Sequence, residues 1–137
     1  MAIKSKIGLM LSLFFIAFFA LAEVETPSST NIESCLNQIT NLGISDPHIY
    51  QAYCDNAKVL KTCKSVEGVS IRHFEIQSGK SNAKNILVFG LIHGDEPLSA
   101  KLALEWTNRL PKISPRNNWR VVPFLNPDGL KNKTRMN

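Results

Sequence analysis

From residue 31 the apolar positions Ile32, Leu36 and Ile39 recur at helical spacing, which predicts a helix over 31–42 ended by Gly43. Asp46-Pro47 opens a second helix-like stretch, expected from His48 to about residue 60. The period then changes. Residues 69–76 (VSIRHFEI) read as a strand, and 78–82 (SGKSN) as a turn. Residues 85–92 (NILVFGLI) are almost wholly apolar, the pattern of a strand covered on both faces in a parallel or mixed sheet. Pro97 suits the first turn of a helix, where its missing N–H costs nothing. Over 98–110 the positions Leu98, Leu102, Ala103, Trp106 and Leu110 form one apolar stripe, and Pro111 stops the helix. Residues 119–125 (WRVVPFL) predict another buried strand, followed by a turn at Asn126-Pro127-Asp128-Gly129. Strand, helix and strand in succession make a βαβ unit and assign the chain to the α/β class, with a parallel or mixed sheet. A small helical segment precedes it.

The first residues follow a different logic. Lys4 and Lys6 precede an apolar run at 7–19 that only Gly8 and Ser12 interrupt, and Ala20-Leu21-Ala22 supplies small residues before Glu23. That layout predicts a secretory signal peptide at 1–22, cut after Ala22. The expected product is secreted or periplasmic, without stable membrane insertion after cleavage. Three segments follow: the leader at 1–22, a polar stretch with a helical cap at 23–64, and an α/β domain at 65–137. The formal charge of +5 includes the two leader lysines, and no Lys/Arg block or interleaved aromatic series follows. Nucleic acid is therefore not an expected partner.

Export places the cysteines in an oxidising compartment. Cys35, Cys54 and Cys63 allow three single pairings. Cys35–Cys54 is preferred, since each sits in a helix-like segment and the two segments can pack as a hairpin. Cys63 is then left over. No C-x-x-C pair exists, which argues against a cysteine zinc site.

The chemistry concentrates at His93-Gly94-Asp95-Glu96-Pro97, where the apolar strand passes into the helix. Ligand sites of open α/β sheets lie in the crevice outside the carboxyl ends of strands. An imidazole and a carboxylate on a tight turn can converge on one cation, and zinc accepts both. The simpler alternative is a helix entry in which Asp95 or Glu96 serves the helix dipole.

Residues 86–97, the following helix and 121–129 (VVPFLNPDG) together resemble the M14 zinc carboxypeptidases, most nearly their bacterial murein-peptide amidase and γ-D-glutamyl-diaminopimelate peptidase branch. The resemblance covers about 66–137. It implies a zinc-dependent metallocarboxypeptidase that releases the C-terminal residue of a peptide, such as a cell-wall peptide. It makes His93 and Glu96 two of three protein zinc ligands. The closing Thr134-Arg135-Met136-Asn137 looks like the start of the family's R-x-N stretch, which makes Arg135 the arginine that stabilises the oxyanion. No histidine follows His93, no tyrosine follows Tyr53, and Glu105 is a poor general base in mid-helix. The resemblance therefore implies a partial fold, with the third ligand and the general base beyond Asn137. His48 and His73 lack ligand spacing and read as surface or packed residues. Asn132-Lys133-Thr134 matches a glycosylation acceptor, a common tripeptide. Two alternatives stay open: an amidohydrolase of the aspartoacylase or succinylglutamate desuccinylase type, whose sequences share the H-G-x-E beginning, and a non-catalytic exported fragment.

Overall fold

The computed structural model describes residues 24–25 and 29–136. The expected leader at 1–22 and its cut before Glu23 lie outside those residues. In chain order the elements are β1 (Val24–Glu25), α1 (Ser29–Thr40), a 3-10 turn (Pro47–Tyr50), α2 (Gln51–Asn56), β2 (Lys58–Lys64), β3 (Ser70–Ile76), β4 (Asn85–Phe89), α3 (Pro97–Arg109), a second 3-10 turn (Leu110–Ile113), β5 (Asn118–Val122) and α4 (Pro127–Asn132). The strands form one sheet in the order β1-β2-β3-β5-β4. β4 and β5 run parallel, from Asn85 opposite Asn118 to Phe89 opposite Val122, with α3 as their crossover. β3 lies antiparallel to β5, with Phe74 opposite Val121, and β2 and β1 continue the sheet antiparallel. The fold is thus mixed α/β, as expected. Among the described residues no helix is long and apolar enough to cross a membrane.

Gly43, at a φ of 73°, lets the chain leave α1 and turn back. Cys35 and Cys54 are disulfide-bonded with Cα atoms 5.7 Å apart, and Cys63 is free. The tied helices share a core with the βαβ unit. Cys35, Ile39, Tyr53 and Cys54 pack in one cluster with Leu91, Leu104 and Phe124. A second cluster under α3 joins Ile76, Ala103, Leu110 and Val121, flanked by the edge-on pair Trp106 and Trp119 at 5.6 Å.

Four sequence expectations need correction. The helix-like stretch does not reach residue 60. Ala57 is already extended and β2 begins at Lys58. Val59 buries its side chain there and pairs with Arg72 of β3, so sheet pairing overrides the helical pattern. β1 and β2 thereby carry part of the 23–64 segment into the sheet.

The stripe on α3 is rotated. Its buried residues are Ala100, Ala103, Leu104 and Thr107, whereas Leu98 is 75% and Leu102 58% exposed. The cause is close approach. A Cβ on Gly90 would lie 2.9 Å from the Ala103 Cβ and 2.9 Å from the Ser99 carbonyl oxygen, so α3 must carry small residues where it crosses Gly90.

β4 ends at Phe89 and is an edge strand, not one covered on both faces. Val88 packs beneath α3, but Leu87 and Phe89 on the opposite face are 55% and 46% exposed. Finally, Asn126-Pro127-Asp128-Gly129 is less a turn than the start of α4. The Asn126 side chain caps that helix by accepting the Gly129 N–H at 2.7 Å, and Pro127 fills the first helical position.

Candidate metal centre

β4 hands the chain to α3 through a strained turn. Leu91 is fully buried at a φ of 51°, a left-handed conformation that costs a β-carbon residue about 1–2 kcal/mol. Its backbone is held on both sides. The Leu91 N–H donates to Ser99 Oγ at 2.8 Å, and its carbonyl accepts the Asn126 N–H at 2.9 Å. The Ser99 hydroxyl in turn donates to the Glu96 carbonyl at 2.8 Å. One side chain on the first turn of α3 therefore ties both ends of the 91–96 loop. The Glu96 N–H closes the loop by donating to the His93 carbonyl at 3.1 Å.

A second wall comes from residues 126–136. Gly94 lies against it, and its N–H donates to the Arg135 carbonyl at 3.2 Å. The Asn126 amide donates to the same carbonyl at 3.4 Å. Asp128, only 2% exposed, anchors α4 from the other side. Its carboxylate accepts from the Ser65 hydroxyl at 2.7 Å and from the Glu67 N–H at 2.9 Å. Glu67 then pairs with Lys131 at 2.6 Å and accepts from the Asn132 amide at 2.7 Å.

Between these walls three predicted residues meet. His93 Nδ1 lies 3.2 Å from Glu96 Oε1, and Arg135 Nη1 lies 2.9 Å from the same oxygen. The side chains are accessible, 31% exposed for His93, 48% for Glu96 and 53% for Arg135. The hydrogen bond from Arg135, then that from His93, holds the Glu96 carboxyl below its usual range. Asp95 joins the cluster, with its Oδ1 3.5 Å from Arg135 Nη1.

The donor set suits a small cation of zinc type. Two donors about 2.1 Å from a tetrahedral ion stand about 3.3–3.4 Å apart, close to the 3.2 Å between His93 Nδ1 and Glu96 Oε1. Without an ion the same separation is a hydrogen bond. Among the described residues, however, no group of three or more His, Cys, Asp or Glu side chains converges. His73 is 8% exposed on β3 and lies 3.6 Å from Glu75, with burial pressing its pKa below the ordinary imidazole value. His48 is exposed and contacts Gln51 at 3.2 Å. Glu105 is committed to Arg109 at 2.6 Å and accepts from the Tyr50 hydroxyl at 3.2 Å.

Three residues of the cluster escaped the sequence reading in their present roles: Ser99 and Asn126 as loop ties, and Asp95 as a partner of Arg135. Asn126 left a signal, since Asn before Pro at a helix start is a capping pattern. Ser99 and Asp95 left none, because their partners are set by packing.

No curated protein matches the chain. Among solved structures, a candidate metallopeptidase from Shewanella denitrificans OS217 is similar at 21% identity and a TM-score of 0.48, over 85% of this chain and 43% of that one. The chain thus spans less than half the length of that protein. A family model described as zinc carboxypeptidase matches residues 47–137, a span that takes in the 3-10 turn before α2, the βαβ unit and the whole cluster at His93. The chain belongs to the zinc carboxypeptidase family.

Proposed function

We propose that His93 and Glu96 are two protein ligands of a catalytic zinc, that Arg135 is the oxyanion-stabilising arginine, and that the protein they serve releases the C-terminal residue of a peptide. The observation that carries this is the 3.2 Å approach of His93 Nδ1 to Glu96 Oε1 with Arg135 on the same oxygen, at the carboxyl end of β4. Zinc, when bound, supplies Lewis acidity toward the scissile carbonyl. The chain's own residues do the rest of the positioning. Ser99 and Gly94 hold the loop in the shape that presents both donors. Arg135 offers a guanidinium whose hydrogen bonds strengthen as negative charge develops on the carbonyl oxygen, the setting in which one donor is worth most. Two donors among the described residues leave a third ligand and a general base to be supplied elsewhere in the protein. A murein peptide as substrate rests on the sequence resemblance around 86–129. Export rests on the leader pattern at 1–22.

Equilibrium dialysis of the whole protein, the source of the third ligand included, against zinc tests the ligand pair. Wild type is expected to retain saturable zinc, and His93→Ala and Glu96→Ala to lose it with little change in thermal unfolding, because both side chains lie outside the core. Zinc retained at wild-type level by either variant overturns the assignment.

A further inference from the structure

Arg135 faces two carboxylates with one nitrogen. Its Nη1 is 2.9 Å from Glu96 Oε1 and 3.5 Å from Asp95 Oδ1. The Glu96 oxygen it holds is also the one turned toward His93 Nδ1. A cation between His93 and Glu96 would therefore share an oxygen with the guanidinium, and two positive groups so placed repel. The Arg135 backbone does not have to move to relieve this. Its carbonyl is pinned by the Gly94 N–H at 3.2 Å and by the Asn126 amide at 3.4 Å, so only the side chain has to swing. Asp95, about half exposed beside it, is the acceptor already within reach.

Resting on the reading of His93 and Glu96 as ligands, we propose that Asp95 is the alternate seat of the Arg135 guanidinium: it draws Arg135 off Glu96 and so sets the affinity of the site for its cation. Asp95 is thus a positioning residue that acts through Arg135. The same move keeps Arg135 beside the site once the cation is in place, where its guanidinium can meet a developing oxyanion.

A generic alternative exists, in which Asp95 helps merely by adding negative charge near the cation. A double-mutant cycle separates the two. Zinc binding to the whole protein, the source of the third ligand included, is measured by titration calorimetry with zinc chloride alone, on wild type, Asp95→Asn, Arg135→Gln, the double variant and Asp95→Glu. Exposed pairs of this kind are worth little, so the expected changes are small. Arg135→Gln should tighten zinc binding about two- to fivefold, and Asp95→Asn should weaken it by a similar factor. With Arg135→Gln already present, Asp95→Asn should add nothing, and Asp95→Glu should restore wild-type affinity. An equal loss from Asp95→Asn in both backgrounds overturns the inference, as does an Arg135→Gln variant that binds zinc no better than wild type. His93→Ala belongs in the same series. If it binds zinc as well as wild type, or if wild type shows no saturable binding, the ligand assignment itself fails and takes the inference with it. All four Asp95 and Arg135 variants should unfold at the wild-type temperature, since both side chains are exposed.

Discussion

Gly94→Ala is the sharpest probe of how the candidate site is built. A Cβ placed on Gly94 would lie 2.1 Å from the Gly129 carbonyl carbon, 2.4 Å from the Gly129 Cα and 2.4 Å from the Thr134 carbonyl oxygen. Carbon atoms in good contact stand about 3.5–4.0 Å apart, so one wall of the site must retreat by more than about 1 Å. No flexible side chain can absorb this, because all three obstacles are backbone and the Pro127, Asp128 and Gly129 turn is buried. Overpacking a tight contact costs about 1–3 kcal/mol, and this overlap belongs at the upper end. At roughly 4 °C per kcal/mol for a domain of this size, the unfolding midpoint should fall by about 12 °C. The retreat also stretches the hydrogen bond from Gly94 N–H to the Arg135 carbonyl and separates the His93 loop from Arg135. Thermal unfolding followed by far-UV circular dichroism reads the first effect, and zinc dialysis the second. Gly79→Ala is the control. It has a φ of 70° but open space around a built Cβ, so it should cost only the left-handed penalty of about 1–2 kcal/mol. A Gly94→Ala protein that melts within about 2 °C of wild type, or above Gly79→Ala, refutes the close-packing account.

Replacing Cys35 and Cys54 with alanine should cost about 3 kcal/mol, the loop entropy of a bridge spanning 19 residues, read as a lower urea midpoint than that of the oxidised wild type. Asp128→Asn should destabilise by about 2–3 kcal/mol, because the Ser65 hydroxyl and the Glu67 N–H both donate to a buried charge; an unchanged urea midpoint would show that the tie is dispensable. Acid should weaken the fold in two steps. Burial lowers the His73 pKa, so its contribution is complete above about 6.5 and declines as pH falls below that value. Lys58, then Arg120, lowers Glu75 to about 2, so its contribution is present above about 4.5 and is lost as pH falls toward 2; a midpoint flat from pH 7 to 3 contradicts both. The chain assayed alone with zinc should release no C-terminal residue from peptides, since no group of three metal-binding side chains converges among the described residues and Glu105 is committed to Arg109; measurable turnover would overturn that expectation. N-terminal sequencing of exported protein should begin at Glu23, and a start at Met1 or Ala2 would favour an uncleaved anchor.

Local pattern was enough for a good part of this protein. The β4-α3-β5 unit, Pro97 at the helix start and the break after α1 follow from periodicity and from what Gly and Pro do to backbone within a few residues. His93 and Glu96 stand three positions apart on one turn, so their meeting is a local event that spacing can reveal. The Cys35–Cys54 bridge was legible for a similar reason, since its two helical segments are neighbours in the chain. What escaped was set by distance. Hydrophobicity marks Leu98 and Leu102 as core residues, but the gap between α3 and the sheet is narrow. Ala100, Ala103 and Thr107 fit it, Leu104 is buried beside the disulfide-tied helices, and Leu98 and Leu102 are left in the open. The apolar run of β4 says that the strand wants cover, without saying that it lies at an edge with Leu87 and Phe89 in the open. Residues 58–64 became a strand because β3 was there to pair with, and pairing energy is not written in one strand alone. Arg135 reaches Glu96 across 39 residues of chain, and Asp128 reaches Ser65 across 63. Contacts of that span depend on how helices and strands stack, a property of the packed whole that single-residue preferences do not contain.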